Sequence, residues 1–297
     1  MTVRAVVVGS LVMDLAFRIP ALPEPGEVVV ASDFGTFRGG KGYNQAVTLA
    51  RLGAEVTMVG AVGVDDYGDG FRAALADEGV NADRVVALRG VSTAVAVPLI
   101  TPDGDVRFVQ HPGANHLLSP AHCADLPDTD VLLLQGEVTP KASEHAARAI
   151  RNRGGTVLLN PAPVLDITPE LLDAASIICP NEIEARTLTG LADADGPTLA
   201  SALARDDRVA VVTLGAAGAA WAHGGATGTE RPPAITAIDA TAAGDSFCAA
   251  LAMAVAEGSS IATAVRFACA AGAHAATIRG AEPALPRRSD VEALLRG

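Results

Sequence analysis

Aromatic side chains are nearly missing from this chain: they make up 3% of its 297 residues, with one tryptophan and two tyrosines. Trp221, Tyr43 and Tyr67 form no base-stacking set, so nothing supports single-stranded nucleic-acid binding. Charge is also sparse, at 19% of residues, and the net charge of −12 is spread along the chain rather than gathered in a tail. That balance argues against nucleic acid or an anionic membrane as the main partner. An anionic substrate stays open, because the field at a helix N-terminus does not follow net charge. The six histidines (His111, His116, His122, His145, His223, His274) show neither HExxH nor HxH spacing, which speaks against a histidine metal site. Of four cysteines (Cys123, Cys179, Cys248, Cys269), none forms a CxxC pair and three sit in apolar runs. They read as buried free thiols of a reducing compartment. No stretch is long and charge-free enough to span a bilayer; the longest candidate, after Asp245, stops at Glu257-Gly258. The start, Met1 to Gly9, reads as a short strand with no basic leader and cleavable apolar segment, so the expected location is the cytoplasm.

What is present is apolar and small. At 49% hydrophobic, the chain can bury a large core of Ala, Val, Leu and Gly, and it reads as one globular domain over 1–297. Strand-like runs at Val3–Val8, Val56–Val59, Val131–Leu134, Thr156–Leu159, Ile177–Cys179 and Val209–Thr213 alternate with helical segments. The helices are Tyr43–Leu52, Phe71–Glu78, Ser143–Arg151 and Glu182–Leu188. Short apolar strands between helices predict a three-layer α/β/α fold with a mainly parallel sheet, its ligands at the carboxyl ends of the strands. Two stretches break the rhythm, about 12–38 and 91–112. The second reads as strands Ala94–Ile100 and Val106–Gln110 joined by Thr101-Pro102-Asp103-Gly104-Asp105. Together the two stretches predict a small sheet standing off the main body.

Four motifs carry chemistry. In Asp239-Ala240-Thr241-Ala242-Ala243-Gly244-Asp245-Ser246, a small-residue turn opens an apolar helix whose Phe247, Ala250, Leu251, Ala254 and Val255 share a face. Backbone N–H groups there form an anion hole, and Asp245 can take a proton from a hydroxyl; the plainer alternative is an acid placed for the helix dipole. Arg38-Gly39-Gly40-Lys41-Gly42-Tyr43-Asn44 is no Walker A loop, yet its glycines admit a small polyol beside Lys41 and Asn44; a glycine turn with a solvated lysine is the alternative. Asn181 and Glu184, three apart at a helix start, can hold hydrated Mg²⁺ or simply cap the helix. Finally, Val211 to Gly218 runs a strand into a glycine turn, either βα or hairpin, without a GxGxxG pattern.

In this order, the motifs resemble the ribokinase-like (PfkB) sugar kinase family, its ribokinase branch most of all. The resemblance spans essentially the whole chain, from Gly9-Ser10-Leu11-Val12-Met13-Asp14 through Gly39–Ala46, Asn181–Glu184 and Asp239–Asp245 to Arg279–Pro283. It implies ATP-dependent phosphorylation of a primary hydroxyl of a small sugar, most readily a pentose. Asp245 is then the base and Ala242, Ala243 and Gly244 the anion hole. Asp14, Gly39, Gly40, Lys41, Asn44, Glu137 and Asp245 hold the sugar; Asn181, Thr213, Gly215, Gly218 and Gly244 line the ATP site. Glu184 acts on Mg²⁺ through water, and Asp239, Thr241, Ala275, Ile278 and Gly280 match a K⁺ site. The small sheet is the family's lid, which often pairs two subunits, so a homodimer is implied. Two departures qualify this. Ribokinases carry Asn where this chain has Val12, and a hydroxyl residue where it has Ala284. A nucleoside kinase or fructokinase of the same family, and a sensor without catalysis, are the alternatives; an intact Asp245 speaks against the sensor.

Overall fold

The computed structural model describes residues 2–103, 105–205 and 207–297; Gly104, part of the expected hairpin turn, lies outside the described residues. The chain runs β1 (Arg4–Val8), β2 (Val12–Arg18), β3 (Asp33–Gly39), α1 (Lys41–Arg51), β4 (Glu55–Gly63), α2 (Asp66–Asp77) and β5 (Asn81–Leu88). It continues through β6 (Ala94–Ile100), β7 (Val106–His111), β8 (Val131–Gln135), α3 (Pro140–Arg151), β9 (Thr156–Asn160), α4 (Pro169–Ala174), β10 (Ile177–Ile178) and α5 (Glu182–Thr189). The last part is α6 (Gly196–Leu203), β11 (Val209–Thr213), β12 (Ala219–His223), β13 (Ala226–Glu230), α7 (Ala243–Ala256), α8 (Ile261–Ala275), α9 (Ala281–Ala284) and α10 (Arg288–Arg296).

Nine strands form one sheet in the order β13-β12-β11-β10-β9-β8-β1-β4-β5, parallel except for the antiparallel β11–β12–β13 end. Alternation along the strands separates the layers. Ala5 and Val7 of β1, with Val131 and Leu133 of β8, pack into the core that holds α1, α7 and α8. Their neighbours Val6, Val8, Leu132 and Leu134 pack on the other side with α3 and α4. The three-layer architecture is therefore that read from the sequence. Helix α7 is apolar nearly all round, and Phe247, Ala250, Leu251 and Ala254 are all buried. Gly272 of α8 faces Ala243 and Phe247 of α7, and the buried alanines of α8 share one core with α7.

The small sheet is β3-β2-β6-β7, with β2 antiparallel to β3 and parallel to β6. It is tied to the body by Glu282 of α9. That carboxylate accepts from Arg38 Nη1 of β3 at 3.1 Å and from Tyr43 Oη of α1 at 2.7 Å. Strand β3 leads directly into α1, so the loop between them is held at both ends. Among the described residues, no helix is long and apolar enough to cross a membrane, and all four cysteines are free and buried.

Candidate active site

Ser10 after β1 and Glu137 after β8 meet the start of α1 where these strands of the main sheet end. Helix α1 opens at Gly40, whose φ of 90° suits glycine, and a Cβ there would lie 2.8 Å from the backbone nitrogen of Val12. This close approach brings α1's first turn against the β1–β2 connection. Lys41 N donates to Glu137 Oε2 at 3.0 Å, and Ser10 Oγ donates to the same oxygen. Asn115 clamps the connection from behind, with Leu11 N donating to its Oδ1 at 3.2 Å and its Nδ2 donating to the Leu11 carbonyl at 3.0 Å.

Asp245 faces this turn from the start of α7. Asn44 Nδ2 donates to its Oδ2 at 2.8 Å and Gln45 Nε2 to its Oδ1 at 3.3 Å. Burial raises the Asp245 pKa, while the Lys41 charge and the Asn44 bond oppose the rise. For Lys41, burial pulls the pKa down, but the carboxylates of Asp245, Glu137 and Glu184 outweigh it and the net shift is upward. Asp14 of β2 is pushed up to about 7, first by burial and then by Glu137 and Asp245. Four acids, Asp14, Glu137, Glu184 and Asp245, and one lysine thus share one desolvated corner, a setting typical of functional sites.

On the other side of Gly244 lies a cavity of about 540 Å³. Thr213, Gly215 and Gly218 line one wall, Ala243, Gly244 and Phe247 the floor, and Pro232, Ile235, Cys269 and Gly272 the rest. Its lining is largely apolar, suited to a flat heterocycle. Gly218 sits at φ 97°, and a Cβ would fall 1.9 Å from the Glu230 carbonyl of β13; Leu214 N donating to the Gly218 carbonyl at 2.8 Å closes β11 and β12 into a hairpin rather than a βα turn. Between cleft and cavity stands the N-terminus of α7. Of the N–H groups of Ala242, Ala243 and Gly244, that of Ala243 has an intramolecular acceptor among the described residues, the Ala240 carbonyl at 3.2 Å. Ala242 itself takes a left-handed conformation, φ 61°, which is uncommon for a residue with a side chain.

The chain matches the model for the pfkB family of carbohydrate kinases over residues 3–288. It belongs to that family. The kinase is similar to a ribokinase of Haemophilus influenzae, 34% identical over 292 residues that cover 96% of this chain and 95% of the relative. It is also similar to the solved ribokinase of Thermotoga maritima (TM-score 0.88, 30% identity, 99% and 100% of the two chains). A third likeness is to Arabidopsis thaliana ribokinase solved with ribose and ATP (TM-score 0.89, 32% identity, 100% of both).

The other sequence-predicted residues of this kinase fall into two further places. Asn181 and Glu184 form a reciprocal cap: Glu184 N donates to Asn181 Oδ1 and Asn181 N to Glu184 Oε2, each at 2.8 Å. Burial raises the Glu184 pKa, opposed by the Asn181 N–H and by Lys41. Asp239 accepts from Thr241 N at 2.9 Å and from Gly280 N at 3.0 Å, tying the α7 approach to the segment after α8. Ala275 lies at the end of α8, its carbonyl accepting from Ile278 N at 3.3 Å. Ser10, Gln45, Asn115, Gln135 and Asn160 are buried polar residues around the site to which the sequence reading gave no role, although Ser10 and Gln45 stand inside the motifs that carry the resemblance. Their burial comes from contacts with residues distant in the chain, which composition and spacing do not encode.

Proposed function

We propose that this kinase transfers the γ-phosphoryl group of ATP to the primary hydroxyl of a pentose, with ribose the first candidate. The observation that carries the reading is the position of Asp245, buried between the polar cleft of Asp14, Lys41, Asn44 and Glu137 and the apolar cavity beside Gly244. Similarity to ribokinases over nearly the full chain supports it. Asp245 takes the proton of the acceptor hydroxyl. The hydroxyl oxygen forms its bond to the γ-phosphorus while the bond from that phosphorus to the bridging oxygen breaks, releasing ADP. Phosphoryl transfer asks the protein mainly for positioning and charge stabilisation. The N–H groups of Ala242 and Gly244 supply the latter, joined by that of Ala243 once it turns from the Ala240 carbonyl, with the helix dipole of α7 behind them.

Among the described residues no cluster of three or more His, Cys, Asp or Glu side chains forms a metal cage. That suits Mg²⁺ carried mainly by phosphate oxygens and water, with Glu184 as the protein's acid. K⁺ would rest on Asp239 and the carbonyls of Thr241, Ala275, Ile278 and Gly280. We read the small sheet as a lid over the sugar, and the cytoplasm as the place of action.

Val12 is buried with Ala94 and Ala96, and its isopropyl group has no donor or acceptor to offer a sugar. Asn at that position would be left unpaired without a sugar hydroxyl, at a cost of about 1–3 kcal/mol. Val12→Asn is therefore expected to favour ribose over 2-deoxyribose relative to the parent. The deciding measurement is kcat/KM for ribose, 2-deoxyribose, fructose and adenosine, in K⁺ and in Na⁺ buffers with Mg²⁺. A pentose should lead and K⁺ should raise the rate. Adenosine or fructose ahead by about tenfold, roughly 1.4 kcal/mol, would remove the pentose assignment. Equal rates in K⁺ and a bulky organic cation would remove the K⁺ site.

The small sheet exposes Phe34, Phe108 and Val109, with Val28 and Val30 on the loop before β3. A second copy pairing through the two-fold axis would cover these side chains and the sheet edges. Light scattering at micromolar concentration is expected to give twice the chain mass of 30.0 kDa; a monomer mass rules this assembly out.

A further inference from the structure

Behind Asp245 three buried amides are joined. Gln45 Nε2, which reaches Asp245 Oδ1 at 3.3 Å, also approaches Asn160 Oδ1 at 3.4 Å. The Gln45 oxygen accepts from Gln135 Nε2 at 2.7 Å, and Asn160 Nδ2 donates to the Cys179 carbonyl at 2.9 Å. Gln45, Gln135 and Asn160 are 0%, 1% and 8% exposed. They come from α1 and from the last residues of β8 and β9, where Gln135 and Asn160 are register partners. Three apolar side chains would fill this space without desolvating any amide, so the set needs a reason. Among the described residues, its one hydrogen bond to an ionisable side chain goes to Asp245.

The orientation of the central amide follows from its neighbours. Asn160 gives its NH₂ to the Cys179 carbonyl, so its oxygen faces Gln45; Gln45 therefore turns its NH₂ toward that oxygen and the carboxylate, and its own oxygen toward Gln135 Nε2. Asn44 pins the other oxygen of Asp245, and the two donors together leave the carboxyl group one orientation.

We propose that Gln45, its amide turned by Asn160 and held by Gln135, is a positioning residue that fixes the Asp245 carboxylate for proton transfer. This rests on the reading of Asp245 as the base. The groups facing Asp245 are Lys41 and Asn44 on α1, Asp14 on β2, Glu137 after β8, Glu184 on α5 and Cys248 one turn along α7, with Cys179 beyond it. Burial and Glu137 push the Asp245 pKa up; Lys41 and the Asn44 and Gln45 bonds pull it down. Loss of the Gln45 bond must move that pKa further up.

The experiment compares kcat against pH, sugar KM and thermal stability for the parent, Gln45→Met, Gln135→Met and Asp245→Asn. Gln45→Met is expected to lower kcat about 10–100-fold, because a misplaced catalytic group loses rate steeply, while sugar KM stays within about threefold. The acid limb of its kcat profile should move up by about half to one pH unit. Gln135→Met should act in the same direction with a smaller effect, although Gln135 makes no hydrogen bond to Asp245; it also serves where Gln45→Met fails to fold. An unchanged kcat in a folded variant, or a lowered kcat with an unmoved acid limb, overturns the positioning role while Asp245→Asn remains inactive. An active Asp245→Asn overturns the reading of the base itself.

Discussion

Asp245→Asn is expected to lower kcat by at least about 10³-fold, the upper range for loss of a general base, while ATP affinity stays near that of the parent. The cavity beside Gly244 is lined by Thr213, Gly215, Gly218 and the residues after β13, not by the Asp245 carboxylate. Its apolar walls are untouched by the change. The fold should also tolerate it. Among the described residues Asn44 Oδ1 has no partner, so a rotated Asn44 amide can accept from the new Asn at 245 in place of donating to a carboxylate. The substitution removes a desolvated charge as well, which offsets part of the lost bonding. Turnover of a pentose, nucleotide affinity by calorimetry and a melting curve separate these effects. A kcat within a few-fold of the parent would reject Asp245 as the base, and a lost ATP site would mean that the change acts through structure.

What the sequence disclosed and what it hid follow a physical division. Alternating apolar runs and helices made the layered sheet legible, because β1, β8, β9 and β11 are buried on both faces and carry almost no polar residues. Strand β5 escaped notice. It lies at the sheet edge, and its residues Asn81, Asp83 and Arg84 break the apolar run. The β12–β13 hairpin is built mostly from Ala, Gly and Thr, with Trp221, His223 and Glu230 among them, and has little strand signal of its own; it pairs onto β11. Helix α2 begins five residues before the apolar run, because Asp65 caps it by accepting from Gly68 N.

The site divides in the same way. Lys41, Asn44, Asp245 and Glu184 stand in motifs whose local spacing carries meaning, and the fold gathers them within reach of one another. The Gln45–Gln135–Asn160 chain joins residues 90 and 115 positions apart. A buried glutamine reads no differently in sequence from a solvated one. Only the register of β8 against β9 places these amides behind the base.

Asp14→Asn is expected to make the protein more stable and a much poorer catalyst. In the fold Asp14 is pushed up to about 7 from 3.8 by burial and by Glu137 and Asp245. The native state thus keeps a proton that the unfolded chain has already lost. Stability from this group is full below the unfolded value and falls as pH rises from about 3.8 to about 7. Above that window the fold holds a desolvated carboxylate beside two others, a penalty on the order of 2–4 kcal/mol. An amide carries no such penalty, so the variant should melt several degrees higher at pH 8, with a smaller gain at pH 5.5. Catalysis moves the other way. A carboxylate in the cleft can accept from two sugar hydroxyls, and charged hydrogen bonds are worth about 1.5–3 kcal/mol each; the loss in kcat/KM is expected to be roughly 10²–10³-fold. In the parent, KM for the sugar should fall as pH rises through about 7, and in Asp14→Asn that dependence should disappear. Melting curves at the two pH values and KM profiles of both forms decide the matter. An equal stability gain at pH 5.5 and 8, or a KM that ignores pH in the parent, would mean that Asp14 is ionised throughout and that the strain among the three carboxylates is relieved elsewhere in the cleft.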